Sequence, residues 1–169
     1  MSKVSSTLNK TLNKTKNDIS AEKRSEIIEL LNQRLADCID LQKQCKQAHW
    51  NVKGPSFIAL HELFDEIATD IENYADLLAE RIVQLGGIAE GTVTAAAKRS
   101  ELTPYPLNIL AGKDHVEALS STLANFGRLV RMDIDNADDL DDKDTSDIFT
   151  EISRGIDKYV WFVESHNLG

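Results

Sequence analysis

Apolar residues recur at intervals of three and four along most of the chain, and this periodicity predicts long amphipathic α-helices. One apolar stripe covers residues 27–49 and a second covers residues 60–85. A Gly-Pro pair at 54–55 separates the two stripes, and a Gly-Gly pair at 86–87 follows the second. Both pairs are typical of positions where helices end. The first half of the chain is therefore predicted to form two long helices.

Two more periodic segments follow after a connection of about twenty residues, which is long for a helical bundle. They predict a third helix at about 107–137 and a fourth at about 145–167. Within the connection, residues 94–100 predict a short helix. Four long helices with one long crossover between the second and third are typical of a ferritin-like bundle. The predicted fold is all-α, with residues 19–169 forming this bundle.

The composition fits one globular domain and narrows the classes of partner. The chain has 169 residues, a net charge of −9 and 28% charged residues. The negative charge argues against nucleic-acid binding by the globular body. No segment has the pattern of a membrane span or a secretory signal, so we expect a cytoplasmic protein. Cys38 and Cys45, about 10 Å apart along one helix, are expected to be reduced thiols.

Four potential metal ligands share one face of the second predicted helix. His61 and Asp65 are four residues apart, and so are Asp76 and Glu80. Residues at this spacing project from the same side of a helix. However, Asp65 and Asp76 are about 16 Å apart along the helix axis, at ~1.5 Å per residue. One chain alone therefore cannot bring both pairs to one metal ion.

A second copy of the same helix would close this gap. The two pairs lie symmetrically about residues 70–71, so each position in one pair has a counterpart in the other. In an antiparallel arrangement about a two-fold axis there, the histidine-aspartate pair would face the partner's acidic pair. His49, near the end of the first helix, would join the same cluster. The pattern predicts two identical sites, each built from two chains.

The residue types of this cluster indicate a redox-active metal. Imidazole suits iron, copper or zinc, and several carboxylates stabilise a hard ferric ion. Charged residues at helical spacing are also common on surfaces that face water, and this interpretation stays open as an alternative. A site inside a single bundle is not expected, because no histidine follows a glutamate by three residues, as di-iron bundles require.

Three segments resemble the Dps family, the DNA-binding proteins from starved cells, which are also called mini-ferritins. They are KQAHWNVKGPSFIALHELFDE, AERIVQLGG and RGIDKYVWFVE. The resemblance covers residues 18–167 and preserves the order and separation of the segments. It implies a four-helix subunit of a hollow homo-dodecameric shell. Such shells oxidise Fe(II), preferably with hydrogen peroxide and otherwise with O2, and store the ferric mineral inside.

The resemblance also assigns roles to individual residues. It places the ferroxidase ligands on His49, His61 and Asp65 of one subunit and on Asp76 and Glu80 of its neighbour. Trp50 matches a family tryptophan near the iron, and packing at a helix end is its alternative role. Because the reaction consumes ferrous iron and peroxide together, the implied function includes protection of DNA from oxidative damage.

Eight aspartates crowd the segment 133–147. One interpretation is a solvated turn between helices, with Asp144 or Thr145 as the N-cap of the next helix. The other is a negative funnel that concentrates cations. Members of the Dps family line three-fold pores with acids from this region, and the matching residues here are Asp142, Asp144 and Asp147.

Residues 1–18 lack the apolar content for a core and are predicted to form a flexible tail. The tail carries four lysines, Lys3, Lys10, Lys14 and Lys16. Four lysines bind DNA weakly, but twelve tails on one shell would act together. Such binding would have no base specificity. The alternative function is therefore a nucleoid protein that mainly binds and compacts DNA through these lysines.

Overall fold

The computed structural model describes residues 12–167, and the regular elements in this range are helices. They are α1 (Ala21–Asn51), α2 (Phe57–Gln84), α3 (Val93–Arg99), α4 (Gly112–Asp139) and α5 (Lys143–Glu164), followed by a 3₁₀ turn at Ser165–Asn167. The predicted all-α fold is confirmed, including the short helix in the crossover between the second and third long helices.

The four long helices pack as two hairpins, α1 with α2 and α4 with α5. Their apolar stripes meet in one core, which completely buries four aromatic side chains. These are Phe64, Phe126, Phe149 and Tyr159. Burying one such side chain contributes about 1.5–3 kcal/mol, so the shared core accounts for the association of the two hairpins. The opposite face of α2, which carries His61 and Asp65, is left uncovered by this packing.

The start of α4 differs from the prediction. The helix begins at Gly112, five residues later than the apolar pattern indicated. The backbone N–H of Lys53 donates to Leu110 O at 2.9 Å, and that of Gly112 donates to Lys53 O at 3.1 Å. These bonds hold the chain beside the α1–α2 turn in an extended form. Leu107 and Leu110, which prolonged the apolar pattern, are exposed.

A group of charged side chains, buried except for Glu101, joins α1, the crossover and α4. Arg34 Nη1 lies 3.0 Å from Asp37 Oδ2, and Arg34 Nε lies 2.9 Å from Asp133 Oδ2. Asp37 also accepts a 2.7 Å hydrogen bond from the backbone N–H of Glu101 in the crossover. Burial raises the pKa of both Asp37 and Asp133. We call Arg34, Asp37, Glu101 and Asp133 the Arg34 cluster.

The first described residues lie against the bundle. Leu12 packs against the core, and the backbone N–H of Asn13 donates to Gly86 O at 2.8 Å. Gly86 has φ +88°, and a Cβ at this position would lie 2.6 Å from Asn13 O, so the close approach requires glycine. Leu12 and Asn13 therefore belong to the packing of the bundle and not to a free tail, which was predicted to extend to residue 18.

Candidate metal centre

Two histidines meet where α1 ends and α2 begins. The rings of His49 and His61 stack with their centroids 3.8 Å apart and their planes at 20°. Nδ1 of His49 lies 2.7 Å from the carbonyl oxygen of His61, and Nδ1 of His61 lies 2.8 Å from the carbonyl oxygen of His49. The turn between the helices brings the two rings together, and Gly54 adopts φ +122° within it.

These hydrogen bonds determine which nitrogen of each neutral imidazole carries the proton. A carbonyl oxygen only accepts, so Nδ1 of each ring must donate. Nε2 of each ring then carries the lone pair with which histidine binds metals. A hydrogen bond from the other ring nitrogen to a backbone carbonyl is the usual arrangement of a metal-binding histidine. The structure therefore presents two oriented nitrogen donors, both on half-buried side chains.

An acidic side chain lies one helical turn beyond His61. Asp65 Oδ1 is 2.5 Å from Nζ of Lys46 on α1. The hydrogen bond from Lys46 lowers the pKa of Asp65, and the positive charge of the same ammonium lowers it further. Asp65 is therefore held in its ionised form, as a metal ligand requires. A cation that binds this carboxylate must compete with the Lys46 ammonium.

The second acidic pair lies far from the histidines within the chain. Asp76 and Glu80 are both exposed on α2. The separation of Asp65 from Asp76 is about 16 Å along the continuous helix. Across residues 12–167, no three His, Cys, Asp or Glu side chains come together in a way that would hold a metal ion. One subunit thus brings His49 and His61 together, with Asp65 on the next turn of α2, but does not form a three-ligand site and leaves Asp76 and Glu80 apart.

The face of α2 that carries these side chains is apolar at its ends and grooved at its centre. Ile58 is 59% exposed and Val83 is 60% exposed. Between them, a groove beside Asp76 is lined by the small side chains Ala75 and Ala79. Exposed apolar residues with polar neighbours are typical of surfaces that associate with another protein chain.

Comparisons with known proteins show the family of this chain. Residues 28–167 match the family model described as a ferritin-like domain. A DNA protection during starvation protein (Dps) from Agrobacterium fabrum is 46% identical over 151 residues, covering 89% of this chain and 93% of that protein. The chain belongs to the Dps family.

Solved Dps structures have the same fold. Dps from Mycobacterium smegmatis superposes with a TM-score of 0.86 at 32% identity, covering 91% of this chain and 93% of that one. A Dps protein from Streptomyces coelicolor gives a TM-score of 0.87 at 32% identity, covering 92% of each chain. The predicted ferritin-like bundle and the resemblance to Dps are therefore confirmed.

The three aspartates predicted to line a pore occupy different environments in this Dps chain. Asp142 is 2% exposed, pairs with Arg81 at 2.7 Å and is the N-cap of α5, accepting from the N–H of Thr145. The predicted cap at Asp144 or Thr145 was therefore wrong. Because its carboxylate is paired inside the bundle, Asp142 is the least accessible of the three predicted pore residues. Asp144 and Asp147 are exposed.

The remaining predicted residues lie on the surface or beyond the described range. Trp50 is 64% exposed, and Lys46 Nζ lies 5.8 Å from its ring centroid. Packing of Trp50 at the helix end does not occur within the single chain. Lys14 and Lys16 are exposed. Lys3 and Lys10 lie outside the described residues.

Among the helices of residues 12–167, none has the length and apolar content to cross a membrane.

The contacts of Lys46 with Asp65 and of Arg81 with Asp142 were not predicted from the sequence. Lys46 precedes His49 by three residues, a spacing that signals a shared helix face. Arg81 lies next to Glu80 but points inward, and is 5% exposed. An arginine within an apolar stripe signals a buried ion pair, because burying its charge unpaired is costly.

Proposed function

We propose that this Dps protein oxidises Fe(II) at sites shared between two-fold related subunits. The observation that carries the proposal is the reciprocal pairing of His49 and His61, which leaves two Nε2 donors beside the ionised Asp65 on an uncovered face. Asp76 and Glu80 of the partner subunit would complete each site. The two ligand pairs on α2 lie at equal distances from residues 70–71, which supports an antiparallel contact between two copies of this helix. The exposed side chains of Ile58 and Val83 also support it.

Iron is the substrate at this site, and the protein's contribution is to bind and orient it. Carboxylates favour the ferric over the ferrous ion and so promote loss of an electron. Hydrogen peroxide, or O2, accepts the electrons. The Lys46 ammonium contacts Oδ1 of Asp65 and therefore competes with iron for this carboxylate. Trp50, which follows His49, would lie at the edge of the site.

The ferric product would be stored inside a homo-dodecameric shell, which would make the protein both a ferroxidase and an iron store. Asp144 and Asp147 are exposed at the start of α5 and would attract iron at a pore. Asp142 is the least accessible of the three for this role, because it is buried and paired with Arg81. Removal of ferrous iron and peroxide together would protect DNA from oxidative damage in the cytoplasm.

The test is anaerobic loading with Fe(II), addition of substoichiometric hydrogen peroxide, and size-exclusion chromatography with ferric absorbance followed beside protein absorbance. The proposal predicts that ferric iron elutes with a particle of about twelve subunits, the closed symmetric shell that the resemblance implies. A small species without iron would overturn both the shell and the store. A large particle without iron would overturn the ferroxidase proposal.

A second candidate function is DNA binding, with association to the nucleoid. Lys14 and Lys16 are exposed, which supports contact with phosphates, and the Agrobacterium relative is named for DNA protection. Changing Lys10, Lys14 and Lys16 to alanine should abolish salt-sensitive retardation of DNA in a gel and leave iron oxidation unchanged. Retardation that persists in this variant would exclude the lysines as the DNA-binding groups.

A further inference from the structure

The end of the crossover contacts the chain on both sides of the histidine pair. The backbone N–H of Gly112 donates, at 3.1 Å, to the carbonyl oxygen of Lys53, four residues after His49. The side chain of Leu60, which immediately precedes His61, packs so closely that a Cβ on Gly112 would lie 2.8 Å from Leu60 Cδ1. Gly112 therefore contacts a residue next to, or one turn from, each imidazole.

The turn between α1 and α2 has no buried side chain of its own in its middle. Residues 53–59 are all exposed, whereas Val52 and Leu60 at the two ends are buried. Lys53 both donates to Leu110 O, at 2.9 Å, and accepts from Gly112. These two backbone hydrogen bonds tie the turn to the rest of the bundle, and without them only its ends would be held.

A buried polar pair holds the crossover to α4 beside these bonds. The hydroxyl of Tyr105 lies 2.8 Å from Nδ1 of His115, which is 1% exposed. His115 belongs to the first turn of α4, three residues after Gly112. The segment 105–112 is therefore held at one end by this pair and at the other by Lys53.

The arrangement of the histidines depends on how far apart the end of α1 and the start of α2 lie. Nδ1 of His49 and of His61 each donates to the other residue's carbonyl oxygen, at 2.7 and 2.8 Å. A displacement of the turn by more than about 0.5 Å would take these bonds beyond ~3.2 Å, the usual upper limit. The ring orientation and the tautomer that leaves Nε2 free to bind a metal would then no longer be fixed.

We propose that Gly112 is a positioning residue of the metal centre, whose N–H fixes Lys53 and so sets the separation of His49 and His61. This inference rests on the ferroxidase function proposed above, because it concerns the same two imidazoles. Gly112 itself binds no metal. It acts through the turn, and the absence of a side chain allows Leu60 to pack fully against it.

The test compares two substitutions of Gly112 in the assembled protein. Gly112→Pro removes the N–H that donates to Lys53, and the proline ring also pushes the Lys53 carbonyl away. Gly112 is the first residue of α4, where proline is favourable, so the helix should form normally. Gly112→Ala is the matched control, because it adds a Cβ but keeps the N–H. The probe is Co(II), titrated into each protein and followed by its visible absorbance.

Gly112→Pro should weaken Co(II) binding about tenfold, the lower end of the loss when groups that orient metal-binding histidines are removed. The visible spectrum of the bound Co(II) should change as well, which a loss of stability alone would not cause. Gly112→Ala should keep the affinity and the spectrum of the wild type, because the end of the Leu60 side chain can shift. Equal losses in the two variants, or wild-type affinity in Gly112→Pro, would overturn the inference.

A second pair of variants decides the question if Gly112→Pro does not assemble. Tyr105→Phe removes the hydroxyl that holds the crossover to His115. Tyr159→Phe removes another buried hydroxyl, which donates to Asp70 and does not contact the turn. Co(II) binding should weaken about twofold or more in Tyr105→Phe, the smallest effect typical of residues that act through intermediate contacts, and stay unchanged in Tyr159→Phe. Equal affinities in these two variants would overturn the inference.

Failure of the underlying function gives a different result. Wild-type protein that binds no Co(II), or that binds it as tightly after Asp65→Asn, would overturn the proposed metal centre and the inference with it. Wild-type binding that depends on Asp65 but not on Gly112 would overturn the inference alone.

Discussion

The Arg34 cluster and the uncovered face of α2 both collect acidic and basic side chains, but only the first is complete within one chain. Arg34 contacts three carboxylates and has a 6% exposed side chain. At the uncovered face, Nε2 of His49 on α1 and Nε2 of His61 on α2 take no part in the hydrogen bonds of their rings, and Asp76 is exposed. Charges that satisfy each other inside the fold stabilise it. Metal-binding nitrogen atoms that are left available, on a face with exposed apolar side chains at both ends, indicate a metal ligand and a partner chain.

The largest predicted effect is the loss of stability when the Arg34 cluster is broken. Arg34→Met should destabilise the protein by about 3–5 kcal/mol, because removing one partner leaves buried carboxylates unpaired. Urea unfolding at fixed protein concentration measures this loss. The matched control is Arg99→Met, whose ion pairs with Glu29 and Glu90 are more exposed and should cost less than about 1 kcal/mol. Equal stability losses in the two variants would contradict the distinction between them.

The second prediction removes an available ligand. Asp65→Asn should lower the initial rate of Fe(II) oxidation at least about tenfold, the loss typical of disturbed metal coordination. Its stability should change by less than about 1 kcal/mol, because the only pair lost is the partly exposed one with Lys46. Glu117→Gln, an exposed change of the same type on α4, is the control. A large stability loss with unchanged oxidation would place Asp65 among the structural charges.

The third prediction concerns Lys46, which competes with a cation for the carboxylate of Asp65. Lys46→Met should tighten cation binding at Asp65 by up to about fivefold, the equivalent of the ~1 kcal/mol that an exposed ion pair contributes at most. Titration with Fe(II) under anaerobic conditions measures the change. Lys43→Met, one turn earlier on α1 and exposed, should leave the affinity unchanged. Weaker binding in Lys46→Met would show that the lysine supports the site.

The smallest effect concerns the pH dependence of the complete cluster. Because burial raises the pKa of Asp133 above 3.8, the native protein keeps this proton to higher pH than the unfolded chain does. Its contribution to stability is therefore fully present below about pH 3.8 and is lost as the pH rises through the native pKa. Asp133→Asn cannot titrate, so the wild type should lose stability relative to this variant as the pH rises. Unfolding of both in urea at several pH values measures the difference, and the opposite slope would contradict it.

Periodicity was sufficient to predict the helices and the pairing of polar positions on α2. It failed at Leu107 and Leu110, where the apolar pattern continued but hydrogen bonds to Lys53 hold the backbone extended. Such bonds join residues far apart in sequence, and spacing rules carry no information about them. The same limit explains the anchoring of Asn13 to Gly86.

In the candidate site, too, helical spacing could be predicted from the sequence and long-range contacts could not. The spacing of His61, Asp65, Asp76 and Glu80 follows from helix geometry and is visible in the sequence. The sequence does not show which aspartates of the acidic run are structural, because the contact between Asp142 and Arg81 joins residues that are 61 positions apart. The charge pattern therefore showed the acidic run but not the ion pair that Asp142 makes with Arg81.

Mixing of two inactive variants tests the central claim, a site shared by two subunits, most directly. Asp65→Ala and Asp76→Ala subunits are each expected to lose iron oxidation alone. A mixed dimer keeps one of its two sites whole, so random exchange of equal amounts should restore about one quarter of wild-type activity. Oxidation that stays absent after verified subunit exchange would contradict a shared site, as would wild-type activity in either variant alone.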